Sequence, residues 1–317
     1  MRIAKLQPRI VIPYVILAAL ILSTALLQPN TVSLDWLGIK TNDILPLALA
    51  TAGQTLVLLT GGIDLSIGGV ISLTNSLEAT RMTSGAGGIV AFTLGMLALG
   101  ALLGALNGIL IVRVRLQPFI ATLITWSIYG GLALWILPTD RGNVPQGFIN
   151  VLLAHPGGIP LSLVLLVVLG MFWRWLRRTP LGKAILALGS NAKSAWLSGI
   201  DVDRVRLAVY ALSGFFAATA GIYRTAQVAS GSPTAGNNFI LLSVSAAVIG
   251  GTSLAGGKGS LIGSIIGVCV LKMIGDLLVF SGVSSYWAAL FQGVLLIVII
   301  AVVSVGEIVR RRREGLS

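Results

Sequence analysis

Long apolar runs limit what this chain can become more than any other feature of its sequence. The stretch GGIVAFTLGMLALGALLGALNGILIV, residues 87–112, carries no charge over 26 positions, and about 20 apolar residues suffice to cross a bilayer as a helix. Ten such segments can be drawn, at 9–27, 43–60, 64–80, 87–112, 118–137, 159–176, 206–226, 239–251, 260–281 and 286–304. Only 10% of residues are charged, against roughly 25% in globular proteins, and mean hydropathy is +0.95. No stretch between the segments is long enough for a soluble domain. The sequence therefore predicts one all-α integral membrane domain over 1–317, with about ten transmembrane helices.

The net charge of +12 does not require nucleic acid, because Lys and Arg accumulate in cytoplasmic loops of membrane proteins. With the N-terminus inside, only Lys40, Arg81, Arg141, Arg224 and Lys272 fall outside or in the outer half of a span. That leaves 17 of the 22 basic residues inside, and both termini are predicted cytoplasmic. The first segment has a basic flank and a small-residue triplet, Ser23-Thr24-Ala25, as a signal peptide would. Pro13 and the long membrane domain behind it favour a retained helix.

Several chemistries lack their residues. A single cysteine, Cys269, excludes an internal disulfide, and a single histidine, His155 in AHPGGIP, gives neither a histidine-rich metal site nor a nucleophilic triad. GGKGS at 256–260 resembles a phosphate loop, but the first glycine position of that motif holds Thr252 and Gly259 follows Lys258 where Ser or Thr is needed. No catalytic or metal-ligating set is expected, and the chain reads as a transport component rather than an enzyme.

Polar residues inside the spans carry the remaining information. Asp64, in LLTGGIDLSIGGVISL (58–73), is costly in lipid and must face protein or a wet cavity. Glycines around it permit a broken helix whose freed amides a carboxylate can accept, so Asp64 either caps a helix start or touches a solute. GGTSLAGG at 250–257 echoes GGIDLSIGG at 61–69. Glycine-interrupted segments in two corresponding places point to a transporter's substrate path. The segment at 239–251 is short for a full crossing and reads as a possible half helix. Lys272 and Asp276, four apart on one helical face, are expected to pair with each other. Gln54, Thr55, Thr74, Asn75, Asn107, Thr122, Thr125, Trp126, Ser243, Ser245 and Gln292 are neutral, which suits an uncharged polyhydroxylated solute better than an ion. The loop at 177–206 contains GSNAKSAWLSGIDVD, which predicts a short helix started by Ser190 or Asn191 and stopped at Gly199. Its apolar side chains would be exposed at the basic side and available to a docking partner.

Taken together, GGIDLSIG (61–68), LNGILIVRVRLQPFIATL (106–123), GSNAKSAWLSGIDV (189–202), AAVIGGTSLAGGKGS (246–260) and GVSSYWAALFQG (282–293) resemble the permease subunits of bacterial ABC importers of the ribose, xylose, arabinose and galactofuranose type. The resemblance implies a membrane-spanning subunit in the bacterial inner membrane that translocates a monosaccharide. A separate ATPase would hold ATP and Mg, so that no cofactor is expected in this chain. An extracytoplasmic sugar-binding protein would deliver cargo, and a second permease, identical or related, would complete the path. The resemblance assigns coupling to the ATPase to Gly189, Asn191, Ala195, Leu197, Ser198, Gly199 and Ile200. Candidates for the translocation path are Asp64, Ser66, Gln54, Asn75, Asn107, Phe119, Thr122, Trp126 and Gln292. Lys193 and Ser194, the acid-free FILLSVSA (239–246) and Gly130–Gly131 depart from the family's usual residues and fit a chain paired with a different permease. The competing expectation is a proton-coupled secondary transporter of a small polar solute that uses Asp64, Lys272 and Asp276.

Overall fold

The computed structural model describes residues 8–27 and 33–284, together with 287, 290, 293 and 294. Gln292, most of the tenth segment and both chain ends lie outside the described residues. Those residues form α1 (Pro8–Leu27), α2 (Leu34–Leu59), α3 (Ser66–Arg81), α4 (Ala86–Val112), α5 (Pro118–Ile136), α6 (Gln146–Leu152), α7 (Leu161–Leu176), α8 (Pro180–Ser190), α9 (Ala192–Leu197), α10 (Val202–Val228), α11 (Asn237–Ile249) and α12 (Leu261–Phe280). No β-strand occurs among them; a single isolated bridge joins Arg141 to Gly231. The helices α2, α4, α5, α10 and α12 are long and apolar enough to cross a membrane, and α6 with α7, bent by 86°, makes a sixth if the pair is one span. The protein is a multi-pass membrane protein. The helix α11 has 13 residues, about 20 Å at 1.5 Å per residue, against about 30 Å of hydrocarbon.

The centre of the fold is α2. It carries Thr51, Gln54 and Thr55 among its apolar residues, and 89% of its most hydrophobic window is buried, whereas for the more uniformly apolar α4 the figure is 11%. Polar side chains within a membrane turn toward other helices, which puts α2 inside, while α4 turns most of its surface to lipid. The exception on α4 is a stripe of glycines. A side chain at Gly104 would stand 2.1 Å from Tyr210 O, and one at Gly100 would stand 2.5 Å from Gly214 O, so only glycine lets α4 lie against α10 at this separation.

The glycine loops on either side of α3 and α11 meet each other. The chain leaves α2 through Thr60 and Gly61 (φ 80°), and it leaves α11 through a loop in which Gly256 and Gly257 also have positive φ, 87° and 68°. Glycine adopts that region without steric cost. Gly257 N donates to Leu59 O at 3.0 Å, and a side chain at Gly256 would stand 3.0 Å from Gly61 N. The end of α8 closes the same contact, since a side chain at Gly189 would lie 1.8 Å from Leu59 O and 2.4 Å from Gly257 N. Three chain segments distant in sequence thus touch through backbone.

At the opposite end of the fold, Arg141 and Gly231 exchange backbone hydrogen bonds and Asn143 N donates to Ala79 O. The 137–145 and 229–236 loops therefore cover the end of α3.

Candidate functional site

Asp64 lies in the turn before α3 and is 1% exposed. Its Oδ1 accepts from the Ser66 amide at 2.9 Å and the Ser66 hydroxyl at 2.6 Å, and its Oδ2 accepts from Ser213 Oγ of α10 at 2.7 Å. Asn107 Nδ2 of α4 donates to Ser66 Oγ, and Thr125 Oγ1 of α5 donates to Asn107 Oδ1, both at 2.7 Å. A carboxylate receiving three donors is well compensated. The network also ties the break before α3 to α4, α5 and α10. Thr122 Oγ1 reaches Pro118 O at 2.9 Å and Ile63 O at 3.2 Å beside it.

The other path candidates stand apart from this network. Asn75 holds the covering loop at the far end of α3, donating to Thr225 Oγ1 and Ser230 O and accepting from Ser232 N at 2.6 Å. Phe119 is half exposed on α5, and Trp126 presents its backbone to Gly69. Gln54, at the heart of α2, is 0% exposed, and neither of its amide atoms has a hydrogen-bond partner among the described residues; nor does the Thr51 hydroxyl one turn earlier. A buried amide without partners costs roughly 1–3 kcal/mol. Residues three apart share a helix face, so these groups form one unsatisfied polar strip on the central helix.

Glu78 is also 0% exposed, and neither carboxyl oxygen receives a hydrogen bond among the described residues. The Thr225 hydroxyl lies beside it but donates to Gly221 O at 2.9 Å, so its proton is already committed. Neither Thr51 nor Ser213 stood out in the sequence. A hydroxyl in an apolar helix gains meaning only from the neighbour it meets.

The expected Lys272–Asp276 pair does not form. Lys272 Nζ instead bonds Asp43 Oδ1 at 2.9 Å, and Lys40 Nζ bonds Asp276 Oδ2 at 2.5 Å. The two helices α2 and α12 run antiparallel here, so the i,i+3 pair on one meets the i,i+4 pair on the other with charges crossed. Asp43, which lies before the apolar part of α2, supplies the acid that spacing along α12 alone cannot reveal.

The loop at 177–206 folds as α8 and α9. Thr179 Oγ1 accepts from Gly182 N and Pro180 opens α8, the usual chemistry of a helix start. Asn191 Oδ1 accepts from Ser194 N at 2.9 Å and caps α9. Ser198 N, Gly199 N and Ile200 N donate back into α9, with Gly199 at φ 82°, and Asp201 caps α10. Ala195 is buried against the body of the protein, while Trp196 and Leu197 are about two-thirds exposed. Gly189 sits in the three-segment backbone contact. The coupling candidates thus form one contiguous unit: its apolar tip faces outward, and its base touches the end of α2.

The family model described as branched-chain amino acid transport system / permease component matches residues 40–300. The chain belongs to this permease family. Among its relatives, the ribose import permease protein of Escherichia coli strain K12 is 36% identical over 263 residues, covering 80% of this chain and 81% of the relative. The D-allose transport system permease protein of the same strain is 36% identical over 253 residues, 78% and 77% of the two chains. The autoinducer 2 import system permease protein of Escherichia coli O9:H4 is 30% identical over 299 residues, 92% and 89%. No solved structure matches. The family's description names amino acids, whereas these permease relatives are named for sugars and for a signalling molecule.

Proposed function

We propose that this permease is the membrane-spanning subunit of an ABC importer that carries a monosaccharide, a pentose or hexose, into the cytoplasm across the bacterial inner membrane. A separate ATPase would bind ATP and Mg and power the cycle, docking on the Trp196–Leu197 tip of α9. A sugar-binding protein would deliver cargo to the opposite face, and a second permease, identical or related, would complete the path. The observation that carries the reading is similarity to ribose and allose permeases over about four-fifths of both chains. The interior agrees with it: Gln54 and Thr51 are neutral donors and acceptors without partners, which suits hydroxyl groups. The expected proton-driven alternative relied on Asp64, Lys272 and Asp276, and all three are engaged in hydrogen bonds or ion pairs.

Uptake by liposomes holding the chain with its co-purifying ATPase and binding protein tests the proposal, using labelled ribose, allose and leucine. ATP-dependent accumulation of a sugar, lost when Gly199 is replaced by Trp, is the expected result. Accumulation driven by a pH gradient without ATP would overturn it, and leucine uptake alone would reassign the cargo.

A further inference from the structure

A cleft of about 540 Å³ opens between the last turns of α7 and the start of α12, on the same end of the molecule as α8 and α9. Its mouth carries Arg174, Arg177 and Arg178, and Ser260 stands opposite them. No carboxylate lines the cleft, and none of the three guanidinium groups has an ion-pair partner among the described residues. Its wall includes Trp173, which is 2% exposed. Ser260 is the N-cap of α12 but forms no side-chain cap bond, so the first amides of a 20-residue helix, with their partial positive charge, also face this end.

Arginines in the last turn of a helix are favourable for the helix dipole and for topology. Those reasons explain the charge, but not a cleft that continues from it along the helix. Shape decides the class of ligand. Met171 and Val167, one and two turns before Arg174 on the same face, continue the cleft with Gly170 and Ile262 as apolar floor. Seven residues of helix rise about 10 Å, so an occupant must be anionic at one end and apolar for that depth below it. Met171 and Val167 are both exposed on a helix with an apolar lipid-facing side, which leaves the floor open toward the bilayer.

We infer that this cleft binds an anionic phospholipid, with its phosphate at the three arginines and an acyl chain along α7. Basic pockets between membrane helices hold such headgroups. The inference rests on the membrane location of the chain and not on its cargo.

The test uses the full chain purified in detergent. Phosphatidylglycerol, phosphatidylcholine with the same acyl chains, or inorganic phosphate is added, and retained lipid is counted by native mass spectrometry beside the thermal midpoint. Phosphatidylglycerol alone should be retained and should raise the midpoint. Replacing all three arginines (R174Q/R177Q/R178Q) should weaken retention by about fivefold per guanidinium. R113Q/R115Q elsewhere on the same end should not weaken it. If the triple variant does not fold, the exposed single change Arg178→Gln carries the test, with a loss of about fivefold expected. Retention unchanged in these variants, equal retention of phosphatidylcholine, or equal protection by inorganic phosphate would each overturn the inference. Loss of ATPase co-purification with lipid retention intact would also overturn it and make the arginines a protein-docking surface. Sugar uptake measured in parallel keeps this outcome separate from the proposed function.

Discussion

At one end of α3, Asp64 accepts three hydrogen bonds and anchors a network that reaches α4, α5 and α10. At the other end Glu78, equally buried, accepts none among the described residues, beneath two loops held by backbone hydrogen bonds and by the Asn75 side chain. The same chemical group therefore does opposite work fourteen residues apart. A partnered buried carboxylate defines where helices sit, whereas an unpartnered one lowers stability as long as the cover stays closed. The Asp64 end of α3 has its carboxyl group satisfied by neighbouring helices, and the Glu78 end does not.

The strongest way to break this contrast is Asp64→Ala. It orphans the Ser66 amide and two hydroxyls at once, and unpaired buried donors cost roughly 1–3 kcal/mol each. A fall in the thermal midpoint of the detergent-purified chain, with poor membrane yield, is expected; a midpoint equal to wild type would remove Asp64 from its anchoring role. Gly189→Ala comes next. Its methyl group would sit 1.8 Å from Leu59 O, and overpacking of this kind costs about 1–3 kcal/mol. Because the clash lies at the α8 end, uptake should fall while delivery-protein binding to the opposite face persists; loss of both together would contradict the separation of the two ends.

How much of this contrast the sequence carries depends on distance along the chain. Helix ends at 27, 112 and 118 are legible because apolar runs stop at Pro, Arg or Gln within one residue of the observed bounds. The start of α2 is not: Lys40, Asn42 and Asp43 interrupt the apolar pattern, yet the helix begins at Leu34 because α12 neutralises both charges and Tyr223 hydrogen-bonds Asn42. The Thr179-Pro180 start of α8 was a readable signal that the apolar run of the loop concealed. Asp64 announces itself by being charged in an apolar stretch, but whether it was satisfied depended on Ser213, 149 residues away. The same spacing argument that put Lys272 beside Asp276 was sound about the face and silent about the neighbour.

Two smaller changes sharpen the comparison. Asn107→Ala removes the middle of the Asp64 network and should cost about 1–2 kcal/mol, read as a lowered midpoint; a cost equal to that of Asp64→Ala would mean the network acts as one unit. Glu78→Gln keeps shape and removes the carboxylate. Its expected effect on the midpoint is within about 1 kcal/mol and toward greater stability, with any change in uptake appearing in KM. A large loss of stability would show that Glu78 is anchored after all.

The contact of Gly189 with Leu59 and Gly257 has a mechanical consequence. Side chains absorb small displacements by changing rotamer, but here carbonyl and amide meet with nothing between them. A shift imposed on α9 and α8 therefore reaches the end of α2 and the entry to α12 with almost no play, and both must follow together or the contact must break. Displacement of any one of the three segments would be passed to the other two through backbone atoms alone.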